Sequence, residues 1–156
     1  MITKQYCKSI VRAALLLALT MCITGVAPLF SSSARAFSVN DVSGVYVDLA
    51  TDGYVVGNGN HAVPDTHVGL VTFTPATGTF HADWIVRTDG ENGEAIHDGT
   101  YTVDANGHGT MTWLSISGNV KHRDFYIVNG GAELKWINTD PPGTIVVTNA
   151  GIMTKQ

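Results

Sequence analysis

The sequence predicts an all-β protein: a single antiparallel, up-and-down barrel of eight strands that follows an N-terminal signal peptide. Short segments rich in Val, Thr, Ile and aromatic residues alternate with turns of Gly, Asn, Asp and Pro. No stretch of ten residues has the apolar spacing of an amphipathic helix. From the second predicted strand onward the connections are six residues or shorter, which is typical of antiparallel neighbours.

The N-terminal segment, residues 1–36, has the three parts of a secretory signal. Residues 1–12 carry three basic side chains and no acidic one, residues 13–30 are largely apolar, and residues 34–36 read Ala-Arg-Ala. A basic start, an apolar centre and a small-x-small end predict cleavage after residue 36. An uncleaved membrane anchor is the alternative, because 18 largely apolar residues approach the length of a membrane span. We therefore expect an exported domain, periplasmic or extracellular, over residues 37–156.

Removal of the signal changes the chemistry that remains. Both cysteines, Cys7 and Cys22, lie within it, so residues 37–156 hold no disulfide, thiol nucleophile or cysteine-bound zinc. Four of the nine basic residues but none of the 13 acidic ones lie there too, which leaves the domain with a formal charge of −8. This balance argues against nucleic acid and, once the signal is cleaved, against a membrane surface as partner. Nothing in the composition sets the oligomeric state.

The predicted strands follow one another along the whole domain. They cover residues 44–50, 68–74, 79–88, 94–103, 110–117, 121–128, 132–139 and 144–154. A long polar loop over residues 51–67 separates the first two, with room for a short strand at 53–56. Because an open sheet of eight strands would expose long edges, we expect the sheet to close into a barrel. A sandwich is the alternative, but it usually needs longer crossovers.

Side-chain alternation predicts which residues lie inside the barrel. For strands three, four and seven the inward sets are Phe80, Ala82, Trp84 and Val86; Ala95, His97, Gly99, Tyr101 and Val103; and Leu134, Trp136 and Asn138. Strands five and six leave both faces open. Their competing sets are Met111 and Trp113 or Leu114 and Ile116, and Phe125 and Ile127 or Tyr126 and Val128.

Five side chains make up the candidate ligand-binding set in the interior: Trp84, His97, Tyr101, Trp113 and Trp136. Large aromatic rings with few polar groups are typical of a pocket for an apolar ligand. The same rings would equally fill a solid core, since an eight-stranded barrel can be packed with side chains alone. The two alternatives differ in whether the interior holds a cavity.

The six histidines do not form a recognisable metal motif. None has a histidine partner at the spacing that a known zinc site uses. His61 and His67 share the predicted loop with Asp65 and are the best metal candidates of a weak set. The motif "DANGHG" at residues 104–109 begins like a calcium loop but lacks the distal glutamate, so it predicts a hairpin turn. We expect neither a metal nor a cofactor.

Catalytic signatures are also missing from the sequence. It contains no G-x-S-x-G, P-loop or dinucleotide-binding motif. No catalytic residue is predicted, and a non-catalytic binding protein is favoured over an enzyme.

Several segments carry a resemblance to known proteins. They are "SGVY" (43–46), "GLVTFTPATGTF" (69–80), "GTYTVDANGHGTMT" (99–112), "FYIVNGGAELKWINTD" (125–140) and "GIMTKQ" (151–156). On these segments the domain resembles a group of exported bacterial β-barrel proteins of lipocalin-like (calycin) type. The group implies the barrel fold and brings no activity with it.

The resemblance to the lipocalins themselves is narrower. "SGVY" stands where their Gly-x-Trp motif would be, with Tyr46 in place of the tryptophan, and the domain lacks their disulfide and final helix. That resemblance implies a small apolar or amphipathic ligand in the interior. The glycine-rich hairpins are similar to those of allene oxide cyclase-like barrels, which implies a cyclase or isomerase with His97 and Tyr101 as acid–base partners. A third alternative is an interaction protein with a solid core and a contact loop at 51–67.

Overall fold

A computed structural model describes residues 35–56, 61–140 and 146–156. The predicted signal peptide lies almost entirely outside these residues, as does most of the predicted turn after residue 139. Eight strands follow one another, with single turns of 3-10 helix at Val39–Asp41 and Asn129–Gly131. The strands are β1 (Gly44–Val56), β2 (Ala62–Thr74), β3 (Thr79–Thr88), β4 (Glu91–Val103), β5 (His108–Leu114), β6 (Val120–Val128), β7 (Glu133–Asn138) and β8 (Val146–Lys155).

The sheet closes on itself, which confirms the predicted barrel and excludes the sandwich. Each strand pairs antiparallel with the next, and β1 also pairs with β8. Leu49, for example, lies opposite Val68 on β2 and Ile152 on β8. Because β1 has a partner on both sides, the barrel has no free edge there.

The prediction of a loop over residues 51–67 is wrong for most of that segment, although the short strand allowed for at 53–56 is present as the end of β1. β1 continues to Val56 and β2 begins at Ala62, so most of this segment is paired strand. The register of β1 shifts between Ala50 and Gly53 in a bulge, where Asp52 has a φ of 58°. The first half of β2 is hard to recognise in the sequence because its inward positions are polar. Asp65 and His67 are both buried, so this part of β2 lacks the apolar alternation that marks the other strands.

The hairpin at 104–109 is a turn, as its sequence predicts. The Asp104 carboxylate accepts hydrogen bonds from the backbone N–H groups of Asn106 (2.8 Å) and His108 (3.1 Å). Gly107 has a φ of 84°, a conformation that glycine adopts without strain. The two hydrogen bonds to the Asp104 carboxylate explain why an aspartate stands at the first position of the turn.

The two ambiguous strands present their aromatic faces inward at Trp113 and Phe125. Met111 and Trp113 of β5 are buried, whereas Leu114 is 60% exposed. On β6 Phe125 is buried and Tyr126 is 59% exposed. The same alternation turns Lys121 and Arg123 inward, because they lie four and two residues before Phe125 and so share its face of the strand.

One half of the interior is a packed apolar core. It lies next to the N-terminal 3-10 turn. The Tyr101 hydroxyl connects the core to this turn, because it donates to the carbonyls of Val42 (2.8 Å) and Val39 (3.2 Å). Burial raises the pKa of Tyr101 to about 12, with a further contribution from Tyr46, so this hydroxyl stays protonated and donating. The apolar core contains Val42, Tyr46, Val71, Phe73, Phe80, Tyr101, Met111, Phe125, Leu134 and Met153.

Among the described residues, no helix is long and apolar enough to cross a membrane.

Candidate functional site

The other half of the barrel interior is built from aromatic and charged side chains. Asp48 of β1 and His67 of β2 lie here, together with Arg123 of β6. Three tryptophans surround the guanidinium group: Trp84, Trp113 and Trp136. These six residues, called the Arg123 cluster below, separate the apolar core from a cavity at the far end of the barrel.

Arg123 is the centre of this cluster and is only 1% exposed. Its Cζ lies 3.5 Å from the ring centroid of Trp136, within cation–π range. Its Nη1 donates to the Asp48 Oδ2 at 2.8 Å, and its Nε donates to the Asn138 Oδ1 at 3.2 Å. The guanidinium is therefore held by a carboxylate, an amide and a stacked ring.

The Asp48 carboxylate receives donors on both oxygens. The Trp136 Nε1 donates to its Oδ1 at 2.8 Å, while Arg123 and His67 reach its Oδ2. Burial alone would raise the pKa of Asp48. The charge of Arg123 and the contacts with His67 outweigh burial, so the pKa is lowered and Asp48 is an anion.

His67 completes the cluster from β2. Its ring stacks on Trp136 with centroids 5.5 Å apart and an interplanar angle of 13°. Its Nε2 lies 3.2 Å from the Asp48 Oδ2 and 3.4 Å from the Arg123 Nη2. With the proton on Nε2 the ring donates to Asp48, and without it the same nitrogen accepts from Arg123.

A cavity of about 170 Å³ lies between this cluster and the end of the barrel. Trp84 and Trp113 form aromatic walls, and His67 and Arg123 also line it. Several of its lining side chains are only half-buried, so the cavity opens to solvent on that side. The remaining lining residues are Asp65, Val86, Ala95, His97, Ser115, Lys121, Asn138, Val147 and Asn149.

The other charged side chains around the cavity are also paired. The Lys121 Nζ lies 2.7 Å from the Asp140 Oδ2. The Asp65 carboxylate accepts from the Thr88 hydroxyl at 2.6 Å and from the Asn149 Nδ2 at 3.1 Å. With the pair of Asp48 and Arg123, the two cations face three carboxylates, so the cavity has no excess positive charge.

Two buried polar atoms at the cavity have no hydrogen-bond partner among the described residues. They are the Trp84 Nε1, a donor, and the Asn149 Oδ1, an acceptor. Both side chains are 4% exposed and both line the cavity. A buried polar atom without a partner costs about 1–3 kcal/mol, so a molecule that pairs with these two atoms would be held more tightly.

His97 stands on β4 against the aromatic walls. Its ring centroid is 5.6 Å from that of Trp84 and 6.3 Å from that of Trp113. Burial lowers the pKa of His97, and the Leu114 carbonyl and Asp98 only partly oppose this. The imidazole is therefore uncharged at neutral pH, and because one ring nitrogen donates to the Leu114 carbonyl, the other is left as an acceptor.

The structure brings three of the five candidate binding residues to the cavity. Trp84, His97 and Trp113 line it, and Trp136 lies beneath Arg123. Tyr101 is in the apolar core, where its hydroxyl holds the N-terminal turn.

His97 and Tyr101 are too far apart to act as the acid–base pair of an isomerase. The two residues are four positions apart on one strand, a separation of roughly 13 Å. The Tyr101 hydroxyl is also engaged by two carbonyls at the opposite end of the interior.

The polar members of the site were not found by sequence reasoning. Five of them were not assigned to any site: Asp48, Lys121, Arg123, Asn138 as a ligand of Arg123, and Asn149. A signal was available on β6, where alternation from Phe125 puts Arg123 and Lys121 on the inner face.

The weak metal candidates separate in the structure. His61 is exposed, whereas His67 is buried and pairs with Asp48. Within the described ranges, no three His, Cys, Asp or Glu side chains are arranged to hold a metal ion.

A larger groove, of about 690 Å³, lies along β7 and β8. Its walls include Ile137 and Ile152, which point outward and are exposed. We favour the smaller interior cavity as the functional site because buried charges and unpartnered polar atoms converge there.

Comparison of the chain with protein families, with curated proteins and with solved structures finds no match.

Proposed function

We propose that this protein is a non-catalytic binding protein that takes a small aromatic molecule into the open half of its barrel. The observation that carries the proposal is the cavity walled by Trp84 and Trp113, with two buried polar atoms left unpartnered beside it. Aromatic walls with a few fixed polar groups are typical of small-molecule sites.

The size of the cavity limits the ligand. A cavity of about 150 Å³ can bind benzene, so the 170 Å³ here suits one ring with a small substituent. The packed core below Arg123 leaves no continuous space for a long chain. The apolar ligand expected from the sequence is therefore a single-ring compound and not a fatty acid.

A substitution that fills the cavity tests this proposal directly. Ala95 is half-buried and lines the cavity, so in Ala95→Leu the added methyl groups occupy the space of the ligand. We expect affinity for toluene to fall by about tenfold or more, the equivalent of ~1.4 kcal/mol. The measurement is a titration followed by the indole N–H signals of Trp84 and Trp113 in nitrogen-15 NMR spectra.

Ala76→Leu is the matched control. Ala76 is exposed in the turn between β2 and β3, so the same enlargement there is expected to leave toluene binding unchanged. Dodecanoate serves as the long-chain comparison and is expected to leave the two indole signals in place. Failure of toluene to bind the unmodified protein, or equal binding by Ala95→Leu, would contradict the proposal.

We also propose that the domain is exported after cleavage of the signal peptide. Phe37, the first residue of the expected mature chain, donates its backbone N–H to the Ala105 carbonyl at 3.1 Å, and its ring lies against Gly107. Cleavage after residue 36 would leave these contacts in place.

We expect the mature protein from a bacterial host to begin at Phe37. Intact-mass spectrometry of the secreted or periplasmic fraction measures this directly. A chain that keeps residues 1–36 and sediments with membranes would instead support the anchor.

A further inference from the structure

We infer that the ligand of this cavity is uncharged and carries a hydrogen-bond acceptor and a hydrogen-bond donor on its ring substituent, as a planar carboxamide does. The inference rests on the proposed binding function and specifies the chemical class of its ligand. It follows from the donor–acceptor balance of the side chains around the cavity.

The orientation of the Asn149 amide is fixed by its neighbour. The Asp65 carboxylate can only accept, and the Asn149 Nδ2 donates to its Oδ2 at 3.1 Å. Reversing the amide would place two oxygens against each other. The Asn149 Oδ1 is therefore the free atom, and it requires a donor from the ligand.

Trp84 imposes the complementary requirement. An indole Nε1–H is a donor only, and this one has no partner among the described residues. Its ring is a wall of the cavity and is 4% exposed, so the donor lies at the cavity with no acceptor from the described side chains. A ligand that supplies the acceptor gains a buried hydrogen bond.

A charged ligand fits the cavity poorly. The guanidinium of Arg123 is paired with Asp48, and the Lys121 ammonium is paired with Asp140. Asp65 adds a third carboxylate, so an anion meets no excess positive charge. A carboxylate on the ligand would also have no proton to give to the Asn149 Oδ1.

Four single-ring probes of nearly the same size separate these requirements. Benzamide has an acceptor and a donor, acetophenone has the acceptor alone, benzoate is an anion without a donor, and toluene has no polar atom. We expect benzamide to bind about tenfold more tightly than acetophenone and benzoate, as one additional buried hydrogen bond predicts. Isothermal titration calorimetry and the indole NMR signals give the affinities.

Trp84→Phe provides the residue-level test, since it removes the Nε1–H and keeps an aromatic ring. We expect benzamide to lose about tenfold in affinity and acetophenone to lose as much, because both use that donor. Toluene reports the change in wall shape alone and is expected to vary much less.

Each outcome decides between the two proposals. Equal affinity for benzamide, acetophenone and toluene would overturn the inference about polarity and leave the aromatic binding function standing. Tightest binding of benzoate would overturn it in favour of an anion site. Failure of all four probes to bind would overturn the binding function and this inference with it.

Discussion

Replacing Arg123 by methionine is expected to lower the free energy of unfolding at pH 7 by about 3–5 kcal/mol, the usual cost of breaking a buried ion pair by removing one partner. Asp48 is completely buried and depends on Arg123 for its charge partner. Methionine keeps much of the length of the side chain, so the loss is mainly electrostatic. Urea denaturation followed by far-ultraviolet circular dichroism measures it.

The double variant Arg123→Met/Asp48→Asn tests the cause of that loss. An asparagine at position 48 removes the isolated anion and can still accept from the Trp136 Nε1. We therefore expect the double variant to be more stable than Arg123→Met alone. Lys135→Met is the surface control, because Lys135 is exposed and its Nζ is 3.9 Å from the Glu133 Oε1. It should change stability by less than about 0.5 kcal/mol.

Acidification gives this prediction a second signature. In the unmodified protein the pKa of Asp48 is lowered, so its contribution to stability is present above the pKa of the unfolded chain and is lost as the pH falls through the folded value. Without Arg123, burial raises that pKa, and protonation then relieves the folded state. The stability difference between the two proteins should shrink from pH 7 to pH 4. A constant difference over this range would contradict the assigned role of the pair.

Substituting alanine for Gly151 is the second large expected effect, a loss of about 1–3 kcal/mol of stability. A Cβ at Gly151 would overlap the Leu49 carbonyl oxygen and lie 2.5 Å from the Trp136 Cζ2. The β1 backbone or the Trp136 ring must shift, and Trp136 supports both Arg123 and Asp48. We expect the variant to bind benzamide more weakly as well.

Gly93→Ala is the matched control for this substitution. Gly93 is exposed on β4, and a Cβ there would meet no atom within 4 Å. Its stability is expected to stay within about 0.5 kcal/mol of the unmodified protein. Thermal unfolding of both glycine variants under identical conditions makes the comparison. Equal melting temperatures would show that Trp136 is not held as tightly as the contacts indicate.

The barrel could be predicted from sequence because its information is local. Strand composition, short turns and the alternation around Trp84 and Trp136 all lie within single strands. Strand closure then follows from the need to pair the edges of an eight-stranded meander. The extended β1–β2 hairpin was missed because its inner positions, Asp65 and His67, are polar.

The site itself could not be predicted in the same way. Arg123 and Asp48 are 75 positions apart, and Trp136 and Asp48 are 88 apart. Nothing in either local sequence indicates that the partner exists, so a buried charge resembles a break in the apolar pattern. Tyr101 shows a second limit of sequence patterns. Alternation predicts that its side chain lies inside the barrel, but it does not predict at which end.

The most direct test of the proposed ligand site is to locate a bound ring by intermolecular nuclear Overhauser effects. With benzamide bound, we predict contacts between its ring protons and the indole protons of Trp84 and Trp113, the walls of the interior cavity. Contacts to Ile137 and Ile152 instead would place the ligand in the outer groove along β7 and β8 and contradict the proposed site.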